Sequence, residues 1–149
     1  AAGGLDRVVR VWNLDKAEDE PSTTIDTAGA IRCLAFAPGN AHLAFWAGED
    51  FSAAPIEIVD CPMHSHRKKL SGHNHSVQGL AFHPKGDRLL SIGADDVLRV
   101  WDVETESELM RWKAAGRHSS GARLAFSPDG RYAISAGKHT VCVWNGCPK

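Results

Sequence analysis

Cys61, His64 and His66 come closest to a chemical constellation in this chain, with His75 a little downstream. Thiolate and imidazole are zinc-type ligands, and such close spacing could turn several of them toward one ion. The same residues sit in the segment Cys-Pro-Met-His-Ser-His-Arg-Lys-Lys-Leu at 61–70, where a turn and the start of an outer strand are expected. Solvated polar side chains are ordinary there, so no metal or other cofactor is assigned. The run Arg67-Lys68-Lys69 could meet phosphates, but no aromatic residue interleaves with it to stack on bases. It reads as a charged guard on an edge strand. No phosphate-binding loop, nucleophile elbow or HExxH pair occurs, so no enzyme is expected within these residues.

The chain has 149 residues, with 17 Lys and Arg against 18 Asp and Glu. That balance gives no general reason to expect nucleic acid or an anionic membrane as a partner. No apolar run reaches the roughly 18–20 residues that span a bilayer. Four cysteines (Cys33, Cys61, Cys142 and Cys147) show neither CxxC spacing nor a disulfide-dense pattern. A reducing, cytoplasmic setting is the expectation.

The elements that must position any site come from an internal repeat. Ala-Phe recurs at 35–36, 81–82 and 125–126, in steps of 46 and 44 residues. Val-Trp recurs at 11–12, 100–101 and 143–144, and in the missing middle copy Val59 holds the Trp position. Each Ala-Phe is followed by turn residues: Ala-Pro-Gly-Asn at 37–40, His-Pro-Lys-Gly at 83–86 and Ser-Pro-Asp-Gly at 127–130. No 3.6-residue apolar stripe is present, whereas short strand-like runs separated by turns are. Four strands in about 43 residues make one propeller blade.

Residues 70–102, with Gly72-His73 at the head and Trp101-Asp102 at the tail, resemble the WD-repeat β-propeller family. The resemblance implies an all-β arc of four-stranded antiparallel blades, part of a ring of about seven. It divides the chain into a partial blade at 1–27, blades at 28–71 and 72–115, and a partial blade at 116–149. It also implies a structural hydrogen-bond tetrad of His73, Ser91, Asp95 and Trp101, with Trp12 and Trp144 as the equivalent blade-core residues. Asp, His and Ser together suggest a catalytic triad, but in this family the Ser lies buried in the second strand and meets no substrate. The other blades depart from the tetrad. Ala2 takes the Ser position of the first. The second has Gly29 for His and Val59 for Trp, which predicts the loosest blade. The fourth keeps Ser135 and Trp144 but has Lys138 and His139 in the turn that should carry Asp.

The strand inventory is that of an incomplete ring, with further blades expected before Ala1. An arc leaves sheet edges and apolar faces open, so residues 1–149 alone are expected to associate. The family implies a protein-binding scaffold, with partners meeting the loops that carry Asn74, His75 and Ser76, then Ala94 and Asp96, then Glu49, Asp50 and Phe51. The alternative is a regulatory propeller of a larger protein, such as a bacterial Ser/Thr kinase.

Overall fold

Each Ala-Phe pair ends a strand, because the Pro and Gly behind it bend the chain back on itself. The closing hydrogen bond repeats three times at the same length: the amides of Ala37, His83 and Ser127 donate to the carbonyls of His42, Arg88 and Tyr132, all at 2.9 Å. Gly39, Gly86 and Gly130 occupy the turns with φ of 73°, 79° and 70°, where a side chain would be strained.

The computed structural model describes residues 1–15, 19–49, 52–61, 67–114, 122–137 and 140–145. Its strands in chain order are β1 (Val8–Val11), β2 (Thr23–Asp26), β3 (Ile31–Phe36), β4 (His42–Ala47), β5 (Ile56–Asp60) and β6 (Arg67–Leu70). They continue with β7 (Val77–Phe82), β8 (Arg88–Gly93), β9 (Val97–Asp102), β10 (Glu108–Lys113), β11 (Arg123–Phe126), β12 (Tyr132–Ala136) and β13 (Val141–Asn145). One 3-10 turn at Pro38–Asn40 is the only helical element among the described residues. The sheets are β1-β2, β3-β4-β5-β6, β7-β8-β9-β10 and β11-β12-β13, antiparallel throughout. Ala2 adds a bridge to Arg10, so the first sheet also holds a fragment of a preceding strand. The chain is thus a partial β-propeller: two complete blades flanked by two with fewer strands.

Core packing runs between blades. Val9 and Ile25 of the first sheet meet Leu43, Phe45 and Val59 of the second. Trp46, Ile56 and Leu70 meet Leu80, Leu89 and Trp101 of the third. Leu90, Leu98 and Val100 meet Ala122, Ala133 and Trp144 of the last sheet. The β3 and β7 strands come close enough that Cys33 Sγ lies 3.5 Å from the Val77 carbonyl oxygen and donates to it. Burial away from water pushes that thiol up to about 12.

Val59 leaves no open gap in place of the expected Trp, being fully buried with Ile25, Leu43 and Phe45 against the first sheet. On the opposite face of this blade, Trp46 is fully buried in the space shared with Trp101, and its indole N–H donates to the Ala54 carbonyl at 2.8 Å. That bond pins the far end of the long β4–β5 connection. Gly29, in the position where His was expected, sits against the backbone of Gly48. A Cβ on Gly29 would lie 2.6 Å from the Gly48 Cα, so no imidazole fits there. Gly29→Ala should therefore cost about 1–3 kcal/mol. Gly4→Ala, with its nearest neighbour 3.8 Å away, should stay within about 0.5 kcal/mol. Urea midpoints of the two variants check this, and equal values would contradict it.

Candidate functional site

The polar cluster of the third blade is assembled from four places. The 71–76 loop supplies His73, β8 supplies Ser91, the β8–β9 turn supplies Asp95, and β9 supplies Trp101. Gly93 makes the room, since a Cβ there would come within 2.5 Å of His73 Nδ1. Both carboxylate oxygens of Asp95 lie 3.0 Å from His73 Nδ1. His73 Nε2 lies 2.7 Å from Ser91 Oγ, and the Trp101 indole N–H donates to that oxygen at 2.8 Å. The tautomer follows from the partners. Nδ1 carries the proton toward the carboxylate, Nε2 accepts from the Ser91 hydroxyl, and Ser91 accepts from the indole.

Arg99 and Glu108 join this chain, and the sequence reading did not include them. Arg99 is 3% exposed. Its Nη1 donates to Asp95 Oδ2 at 2.9 Å and stands 2.8 Å from His73 Nδ1. Its Nε donates to Glu108 Oε2 at 2.9 Å. Asp95 also accepts from the amides of Asn74 and Val97, at 3.3 and 3.2 Å. Burial disfavours the Asp95 charge, but the hydrogen bonds from His73, Arg99 and the Asn74 amide outweigh it and hold the carboxyl well below the usual carboxylate range. A signal for Arg99 was present in the sequence. Asp6-x-x-x-Arg10-Val-Trp repeats Asp95-x-x-x-Arg99-Val-Trp, and Arg10 Nη1 lies 2.5 Å from Asp6 Oδ2. Arg7 and Asp96 hold the same turn position with φ of 62° and 57°.

The Asp-His-Ser distances are those of a general-base relay, but the access is not. Ser91 is 0% exposed and His73 4% exposed, with the hydroxyl proton and lone pair both engaged inside the sheet. A nucleophile must reach a substrate atom, and this one is sealed. The cluster ties a loop, a turn and two strands into one unit.

The Trp positions differ from one another. Trp101 is 1% exposed. Trp144 keeps its indole bond to Ser135 Oγ, at 3.0 Å, and stacks at a tilt on Trp112 with centroids 5.9 Å apart. It is only half-buried, however. Trp12 lies one residue past β1, half-buried and outside every hydrophobic cluster among the described residues, so it is not a core residue here. The reason is positional. Trp101 and Trp144 pack toward the sheet that precedes each of them, and the described residues hold no sheet before Trp12.

Of the expected partner-facing residues, Asn74 and Glu49 are exposed, and His75, Ala94 and Asp96 are half-buried. Ser76 is a correction. It is 3% exposed, because its carbonyl accepts from the Ala94 amide at 2.8 Å and its hydroxyl accepts from Gln78, drawing it into the end of the ladder. Asp50 and Phe51 lie outside the described residues. The Asp96 backbone is left-handed, so Asp96→Val should cost about 1–2 kcal/mol more than Asp96→Gly. Thermal or urea unfolding checks this, and the reverse order would contradict the turn geometry.

The segment at 61–70 also reads differently. Lys68 is no free guard charge: its Nζ reaches the Val103 carbonyl and Glu104 Oε2, both at 3.0 Å, and Glu106 Oε2 accepts from the Lys69 amide at 3.3 Å. The outer strand of the second blade is thereby latched to a turn of the third. His64 and His66 lie outside the described residues. Cys61 is half-buried, and burial with the neighbouring Asp60 charge raises its thiol. Among the described residues no three metal-ligand side chains come together, and no helix is long and apolar enough to cross a membrane.

The repeating sheets and the Asp95 cluster agree with a comparison of the sequence to family models. Residues 64–102 and 116–145 match the family described as WD domain, G-beta repeat. This is a WD-repeat chain. Its similarity to the nuclear distribution protein nudF of Emericella nidulans is 31% identity over 147 residues, covering 86% of this chain and 33% of that protein. With human coronin-7 it shares 27% identity, covering 95% of this chain and 15% of the relative. With the anaphase-promoting complex subunit cdh1 of Dictyostelium discoideum it shares 31%, covering 68% and 13%. The WD-repeat chain thus spans about a third or less of these relatives' length. They are eukaryotic proteins, and they lend no support to a link with a bacterial kinase.

Proposed function

We propose that this WD-repeat chain is a protein-interaction scaffold with no catalytic activity of its own. The observation that carries the reading is the sealing of the Asp95–His73–Ser91 relay. The groups with the most chemistry are spent on rigidity, so what the chain offers a partner is a fixed surface. The loops at one end of the blades are pinned accordingly. Ala94 donates to the Ser76 carbonyl at 2.8 Å, Ala114 to that of Asp96 at 2.7 Å, and Gly48 to that of Ala30 at 3.0 Å. Arg7 of the first blade pairs with Glu49 of the second at 3.3 Å. A partner meeting such loops pays little ordering entropy. The relatives named for nuclear distribution and for the anaphase-promoting complex are compatible with this role.

The test is affinity capture from the native host with the wild-type protein and with Asn74→Arg combined with Glu49→Arg. Both sites are exposed, and the solvent-exposed Arg7–Glu49 pair lost with Glu49 is weak, so the unfolding midpoint should move little while bound proteins are lost. An unchanged set of partners would count against these loops. A turnover activity abolished by Ser91→Ala would overturn the scaffold reading itself.

A further inference from the structure

We draw no further inference here: the strongest candidate, the outer apolar face of the β11-β12-β13 sheet, where Tyr132, Ile134, Val141 and Val143 are exposed, carries nothing because nothing in the structure shows what covers it.

Discussion

Trp101→Ala should lower the stability of the protein by about 3–5 kcal/mol, read as a shift in the urea midpoint. The indole is 1% exposed and fills the space between two blades, against Trp46, Leu70 and Leu89. Neighbouring strands are hydrogen-bonded into their own sheets and cannot collapse into the gap, so most of the cavity cost remains. The ring also donates to Ser91, which would keep only its bond to His73. Trp101→Phe separates the two contributions. It keeps most of the packing and loses the N–H, for an expected cost of about 1–2 kcal/mol. Trp12→Ala is the control: that ring belongs to no described cluster, and its loss should cost about 1 kcal/mol or less. Equal shifts for Trp101→Ala and Trp12→Ala would contradict the packing described here.

Asp95→Ala should be comparably severe, about 3–5 kcal/mol, because it strands a guanidinium that is almost fully enclosed. Glu108 would remain as the partner of Arg99 Nε, but His73 Nδ1 and the amides of Asn74 and Val97 would lose their acceptor. The effect carries a pH signature. Folding lowers the Asp95 carboxyl from an unfolded value of about 4, so the unfolded chain binds the proton more readily. Stability from this group is complete above about pH 4 and is lost as pH falls toward the lower folded value. Asp6, Asp102 and Asp129 are lowered too and add to the acid sensitivity, but Asp6 and Asp129 are exposed and Asp102 is only half-buried, so solvent screens all three. Asp95→Asn should therefore flatten, though not abolish, the fall in unfolding free energy between about pH 5 and pH 2. Parallel curves for wild type and Asp95→Asn would show that Asp95 is not held ionised by the cluster.

The parts of this protein that were legible beforehand share one property: they are local or periodic. Ala-Phe followed by Pro and Gly predicts a strand and its turn from neighbours in the chain alone. The spacing of Trp12, Trp101 and Trp144 predicts a repeating sheet. His73, Ser91, Asp95 and Trp101, expected together through the family resemblance, are within hydrogen-bond distance along one chain of contacts. Arg99 was visible as the second member of a repeated Asp-x-x-x-Arg pattern, but the pattern alone does not say that a guanidinium will be enclosed. A strand position two residues before Trp101 places it on the same face of the sheet, and only the folded arrangement brings His73, Asp95 and Glu108 around its guanidinium.

The misreadings sit where one blade acts on another. Val59 looked like a hole in the second blade because its own position was compared with Trp101, whereas Leu43, Phe45 and Ile25 close around the smaller side chain at the interface with the first sheet. Lys68 looked like a solvated guard until a turn some 35 residues later, at Val103 and Glu104, closed on it. Ser76 looked like a loop tip and is the last rung of a ladder. The amino-acid sequence by itself determined the blade: strand length, turn chemistry and the order of polar and apolar residues along each repeat are written in short-range pattern. The tertiary structure decided which side chains those blades enclose, because burial depends on what the adjoining sheet brings to the same volume, and that sheet comes from residues some forty positions away along the chain.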